Sequence, residues 1–289
     1  MITFFQVLIA GLETGSLYAL SAMGLILVFR TSQLLNFAHS DSAMFCTFIA
    51  LAIFNVTGSY PLAFIGAVVF GMVLGLIIEL ITRVAGKINP TSKMIVTLGL
   101  AMVIGGLASS IFGLDTHFFR KAIMRDNFNI AGVIVQPNSL FIMLLSVVIM
   151  AILLYIIGRT KIGVAIRATA QNELTAKLMG VPVDKIYSFT WITAVALAAI
   201  TGILVAPVTN ISIGMMGEVH MKAFTAAVLG GFGSFVGPVV GGLLVGVLDN
   251  MVGLYISLTW KTVIVYAFLI LILIIRPAGL FGSVRRKKV

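Results

Sequence analysis

Apolar runs of about twenty residues recur along this chain, and they constrain its fold more than any other feature. A helix needs about 20 such residues to cross the hydrocarbon core of a bilayer. Clear runs occupy 7–29, 61–82, 94–113, 138–158, 187–206 and 258–275, and 36–54 is another with a polar start. The region 221–256 is too long for one straight span, is rich in glycine and is interrupted by Pro238. It reads as two helices joined at Gly233–Gly237. Of 289 residues, 60% are hydrophobic and only 10% charged, whereas soluble domains carry about 25% charged residues. Little is left for a soluble domain. The expected fold class is all-α: a polytopic integral membrane helical bundle, one transmembrane domain over 1–289, with about eight spans and a broken or re-entrant Gly-rich segment.

The net charge of +10 does not indicate nucleic acid, because the basic residues cluster between apolar runs, as the positive-inside rule expects. Arg83, Lys87 and Lys93 flank one connection, and Arg159, Lys161, Arg167, Lys177 and Lys185 sit in another. Arg276, Arg285, Arg286, Lys287 and Lys288 end the chain. All three regions are placed in the cytoplasm, with Arg30 inside and the N-terminus outside. The segment 114–137 then lies outside, its Arg120, Lys121 and Arg125 partly offset by Asp115 and Asp126. The region 221–256 must enter and return on one side, because 187–206 ends outside and the last span starts outside near Trp260. Met1–Phe29 lacks a basic leader and contains Glu13, so it reads as a retained span and not as a signal peptide. Cys46 is the single cysteine, which excludes an intrachain disulfide and a cysteine-based metal cluster.

Polar groups inside the apolar band are costly and usually face a bundle interior or a cavity. Glu13 lies about two turns into the first span, as a pathway residue or as a structural partner near the outer interface. Glu79 and Arg83 are four apart, in the favourable order for a helix pair. Asp249 is open to either reading. The stretch "LLNFAHSDSAMF" places Asn36–Ser42 at the entrance to a span. Asn36 or Ser40 is the expected helix cap, and Asp41 in the first turn suits the helix dipole. "GGFGSFVGPVVGG", Gly230–Gly242, predicts either a break lined by protein or tight packing through small residues. Gly11, Gly15 and Gly24 with Ser16, Ala19 and Ala22 make a small-residue face on the first span. Interrupted segments in opposite halves hint at an internal repeat and a central pathway.

Chemistry of other kinds is missing. A nucleotide-binding loop needs a Gly-rich turn followed by Lys and Ser or Thr, and no such run occurs. His39, His117 and His220 are far apart in sequence and suggest no metal site. His39 with Asp41 is a weak catalytic pair, since residues two apart on a helix do not face each other. The longest polar segment between spans is Gly158–Phe189. Within it "RATAQNELTAKLMG" reads as a short amphipathic helix stopped by Gly180 and Pro182. It suits either a membrane surface or a cytoplasmic partner.

Four stretches carry a family resemblance: "GLETGSLYALSAMGLILVFRTSQLLNFAHSDSAMF", "IGVAIRATAQNELTAKLMGVPVDKI", "MKAFTAAVLGGFGSFVGPVVGGLLVG" and "IIRPAGLFG". In this order they resemble the branched-chain amino acid ABC transporter permeases of the LivH type. The resemblance implies an inner-membrane permease subunit, bacterial or archaeal, for branched-chain or related amino acids. It implies a homologous second permease, two cytoplasmic ATPase subunits that use the ATP, and an external solute-binding protein as partners. It implies no catalysis, cofactor or metal on this chain. The pathway candidates are then Glu13, Asn36, His39, Ser40, Asp41, Gly230, Gly231, Gly233, Gly237 and Pro238. The cytoplasmic loop 159–186 becomes the ATPase-coupling loop, with Arg167, Gln171, Asn172, Glu173, Lys177 and Gly180, and Gln171–Gly180 as its coupling helix. Three departures are Ser40 where the family usually has Gly, Pro238 where Ala is commoner, and "QNEL" where an acidic pair is usual in the coupling loop; Ser40 and Pro238, near the suspected pathway, concern substrate more than fold. A urea or short-amide permease resembles the same family. A stand-alone secondary transporter would instead need its own ion site, with Glu13 or Asp249 as candidates.

Overall fold

The computed structural model describes residues 2–85, 90–130 and 132–282. The basic residues Lys87, Arg285, Arg286, Lys287 and Lys288 lie outside the described residues. Among the described residues, seven helices are long and apolar enough to cross a membrane. They are α1 (Ile2–Ser32), α2 (His39–Thr57), α3 (Tyr60–Ala85), α4 (Pro90–Phe112), α5 (Pro137–Arg159), α8 (Val183–Thr209) and α10 (Gly237–Tyr255). A further apolar helix, α11 (Lys261–Ile275), has 15 residues, and α9 (Gly217–Gly230) has 14. At 1.5 Å per residue α9 is about 21 Å long, short of a core about 30 Å thick. Between α5 and α8 lie α6 (Lys161–Gln171) and α7 (Glu173–Leu178). The all-α polytopic class stands, with seven span-length helices where about eight spans were expected. A small antiparallel hairpin, β1 (Phe128–Ile130) with β2 (Val133–Val135), was not anticipated.

Local chemistry sets several element ends. Gly58 closes α2 in the left-handed conformation (φ 64°), its N–H donating to the carbonyl of Phe54. Only a residue without Cβ adopts that backbone freely. Thr160 caps α6 by accepting a hydrogen bond from the N–H of Gly163.

The chain divides into two compact units. In the unit formed by 27–121 and 152–220, the most extensive packing is α3 against α8, with α2 on both. Ala63, Ala67, Gly71 and Gly75 are all buried and repeat every four residues, which puts them on one helix face. A Cβ added at Gly75 would sit 2.8 Å from the Trp191 carbonyl of α8, and one at Gly71 would sit 3.0 Å from Ala199 Cβ. The two backbones meet because this face has almost no side chains.

The other unit, 1–26, 122–151 and 221–289, repeats the device with different helices. Gly11 and Gly15 of α1 oppose Gly242 and Gly246 of α10. A Cβ on Gly15 would come 2.9 Å from Leu243 Cα, and one on Gly11 2.8 Å from Val247 Cα. α11 packs on α10, and the segment after α11 returns to α9. There Leu280 N donates to Leu229 O at 2.8 Å and Phe281 N to Gly230 O at 3.1 Å.

Forcing a side chain into such a seam costs about 1–3 kcal/mol. Gly15→Leu is therefore expected to lower the thermal midpoint of the detergent-extracted protein by several degrees. Gly99→Ala, where nothing lies within 4 Å of the added Cβ, leaves it unchanged. Equal midpoints for the two variants would refute the role of the seam.

Candidate functional site

The polar stretch before α2 folds into a buried turn. Asn36 is buried, and its side-chain oxygen accepts from the Ala38 N–H at 3.1 Å. α2 then begins at His39, with Ala38 in the cap position and no side-chain cap. This corrects the expected cap. Asn36 closes the turn ahead of the helix, and Ser40, already inside the first turn, donates to Asp41 Oδ2 at 3.1 Å. Asp41 faces Gly105 of α4, and the Thr97 hydroxyl of α4 accepts from Phe37 N at 3.4 Å. The His39 ring, 1% exposed, lies 5.9 Å from the ring of His220 on α9. The structure thus brings Asn36, His39, Ser40 and Asp41 together and adds His220. No local signal marks His220, because only tertiary folding brings α9 to the start of α2.

The Gly-rich candidates belong to the other unit. Gly230 ends α9, Gly237 opens α10, and Pro238 follows at its first turn. Pro is suited to that position, where a missing N–H costs no hydrogen bond. The Gly230 and Gly237 backbones touch so closely that a Cβ on either would overlap the other. Gly231 (φ 91°) packs against Ala278 and Gly282. Ser234 Oγ accepts from the N–H groups of Val236 and Gly237 at 3.1 and 3.2 Å, which closes the turn ahead of α10. Gly233 is exposed at the tip of the turn. Glu13 lies half-buried on α1.

The same unit holds a buried ion pair. Lys222 of α9 is 0% exposed and its Nζ lies 2.7 Å from Asp249 Oδ1 of α10. Lys261 of α11 approaches the second carboxylate oxygen at 3.4 Å, and the Lys222 ammonium stands 5.7 Å from the centre of the Tyr18 ring. Asn250 Nδ2 donates to Thr14 Oγ1 at 3.0 Å and to the Gly246 carbonyl at 2.9 Å. Asp249 is therefore an ion-pair partner joining α9, α10 and α11. Sequence reasoning missed Lys222, although a lysine preceding an apolar stretch is the kind of costly charge that merits a partner.

The expected single helix Gln171–Gly180 is two pieces. Arg167 and Gln171 lie on α6, and the break falls at Asn172, whose backbone is extended (φ −159°, ψ 112°). Its side chain accepts from the Thr175 N–H at 2.9 Å and so caps α7. Asparagine competes with helix continuation in this way. Arg167 donates to the carbonyl of Ile157. In α7, Glu173 pairs with Lys177 at 2.6 Å and accepts from the Tyr187 hydroxyl of α8 at 2.8 Å. The Lys177 ammonium holds the Glu173 carboxyl below its ordinary range, and Glu173 raises Lys177 in return. Gly180 (φ 79°) turns the chain after α7. Leu174, Leu178 and Met179 are 68, 80 and 79% exposed, an apolar edge presented outward by a helix that is anchored from behind. Among the described residues no cluster of three or more His, Cys, Asp or Glu could hold a metal ion.

Comparison with known proteins covers nearly the whole chain. A family profile described as "Branched-chain amino acid transport system / permease component" matches residues 7–273. The high-affinity branched-chain amino acid transport system permease protein LivH of Salmonella typhimurium is 32% identical, over 99% of this chain and 98% of that protein. The corresponding protein BraD of Pseudomonas aeruginosa is 31% identical over the same shares. Among solved structures, PsaBC from Streptococcus pneumoniae in complex with Fab matches with a TM-score of 0.50 and 20% identity, covering 94% of this chain and 91% of that one. That likeness concerns the fold alone.

Two outcomes are expected from this geometry. Asp249→Asn removes the carboxylate from a buried pair and should cost about 3–5 kcal/mol, read as a lower thermal midpoint. Lys222→Met in the same background restores part of the loss, and no restoration would show that the two residues do not act as a pair. The depressed Glu173 carboxyl stabilises α7 fully above the ordinary carboxylate pKa of about 4, and this is lost as pH falls through the depressed value. Amide exchange in α7, corrected for its intrinsic pH dependence, should therefore stay constant above about pH 5 and quicken only in stronger acid. Loss of protection near neutrality would contradict the pairing.

Proposed function

The chain belongs to the permease components of branched-chain amino acid transport systems, and we propose that it imports small apolar amino acids as one half of a permease pair. It is a multi-pass membrane protein and a transport subunit, not a catalyst. The observation that carries the reading is similarity along the full length: 99% of this chain aligns with 98% of a LivH protein. The remaining parts of the assembly are those that the family resemblance implies, and the basic residues give their side of the membrane. The basic residues around α3–α4, α5–α8 and the end of α11 orient those connections to the cytoplasm. The second permease lies beside this chain within the bilayer, two ATPase subunits dock below it, and a solute-binding protein delivers substrate from outside.

In this reading the apolar edge of Leu174, Leu178 and Met179 on α7 enters the ATPase. Arg167, Gln171, Asn172, Glu173, Lys177 and Gly180 shape and hold that edge. Because Glu173 is bonded to Tyr187 of α8, movement of α7 is passed directly to a span. ATP binding and hydrolysis need only change the balance between inward- and outward-facing states, by binding one more tightly than the other. The pathway role is read for the polar turn Asn36–Asp41 in one unit and, separately, for Glu13 and the glycine turn Gly230–Pro238 in the other. α9 and α10 enter and return on the outer side, with α11 as the final span.

Uptake in cells lacking the endogenous importer tests this. Leucine and valine uptake should require this chain, an intact ATPase and the solute-binding protein, and urea should not be taken up. Glu173→Arg breaks the anchor of α7 and reduces uptake to background while the protein still reaches the membrane. Full uptake by that variant, or purification without any ATPase subunit, would remove the coupling role. Transport by the lone subunit on an ion gradient would remove the importer reading altogether.

A further inference from the structure

Behind α7 lies a cavity of about 380 Å3, at the small end of ligand-binding cavities. Its charged lining is balanced: Glu79, Glu173 and Asp184 against Arg83, Lys93 and Lys177. Four of these six are committed to each other. Arg83 pairs with Glu79 at 2.6 Å and donates to the Ser188 hydroxyl and the Asp184 carbonyl. Lys177 pairs with Glu173. Among the described residues, the Lys93 ammonium and the Asp184 carboxylate make no hydrogen bond or ion pair. Lys93 acts on Glu173, and Asp184 on Lys177 and Tyr187, only through space, so one cation and one anion on the wall of one cavity have no direct partner there, and Leu34 and Trp191 also line it.

We propose that this cavity binds a free α-amino acid with an apolar side chain from the cytoplasm, and that its occupancy restrains α7 and slows import. The ligand's carboxylate pairs with Lys93, its ammonium with Asp184, and its side chain rests on Leu34 and Trp191. A lining of equal positive and negative charge disfavours phosphates and nucleotides, which need a net cationic site, and favours a zwitterion. Lys93 comes from α4, Asp184 from the first turn of α8, and Glu173 and Lys177 from α7, so one ligand touches three elements. A ligand that prefers the arrangement in which these elements are close opposes any movement of α7 away from them, and the coupling is reciprocal. The inference deepens the reading above, because the accumulated product becomes the regulator of its own import.

The test uses the complete importer in proteoliposomes, with leucine supplied on the face that carries α7 and import of labelled leucine measured from the other. Leucine on the α7 face should slow import severalfold. Lys93→Met and Asp184→Asn should import normally in its absence, but need about tenfold more leucine for the same inhibition, as expected for one lost charge-assisted hydrogen bond. Isovalerate and isoamylamine, each lacking one of the two charges, should not inhibit. Undiminished import at high leucine, or equal inhibition of both variants and the wild type, overturns the proposal while the importer reading stands. If the wild-type complex imports no leucine, the importer reading falls. Equilibrium dialysis of labelled leucine against wild type and Lys93→Met then decides the cavity separately: binding weakened about tenfold in the variant supports it, and equal or absent binding overturns it.

Discussion

Helices in a bilayer gain little by exchanging lipid contacts for one another, so association depends on how closely their backbones approach. The structure meets that constraint in each of its two units by the same means. Ala63, Ala67, Gly71 and Gly75 form a nearly bare face on α3 for α8, and Gly11 and Gly15 meet Gly242 and Gly246 where α1 crosses α10. At that separation many weak atom–atom contacts replace the absent hydrophobic drive. The outward faces of α3, α4 and α5 keep large apolar side chains such as Ile65, Met102 and Leu144 exposed, as a lipid-facing surface requires.

With spacing set by small residues, polar groups occupy defined places in the interior. On α3 the four-residue rhythm of the small stripe continues into Glu79 and Arg83, so the bare face ends in an ion pair that also reaches Ser188 and the Asp184 carbonyl of α8. On α10 the face after Gly246 gives Asp249 and Asn250, which hold Lys222, Lys261 and Thr14. In low dielectric such contacts are costly when incomplete. They fix helix register where glycine alone would allow sliding. The close seam and the polar end of each helix are parts of one device.

The loop between α5 and α8 shows how local chemistry builds a short, anchored helix. Asn172 interrupts what composition would run as one helix, and the capped fragment α7 is tied at Glu173 to Tyr187 while its apolar edge faces outward. In the proposed importer this tie is the route by which a displacement of α7 reaches α8. The cavity behind α7 carries balanced charges on the same piece.

The sequence alone determined the membrane class and most helix positions, because bilayer thickness converts directly into a run of apolar residues. It also placed the Glu79–Arg83 pair, since that follows from helix geometry. Four motifs along the chain carried the family resemblance that full-length comparison bears out. What only tertiary structure decided are the meetings of distant residues: His39 with His220, Lys222 with Asp249, and Gly15 with Gly246. It also decided between two local alternatives, with Asn36 closing a turn ahead of α2 and Asn172 splitting the expected loop helix. The physical reason is common to all of them. Hydropathy records how much of a helix prefers lipid, but a side chain's partner depends on which helix faces are brought together, and that choice is made by packing across the whole chain.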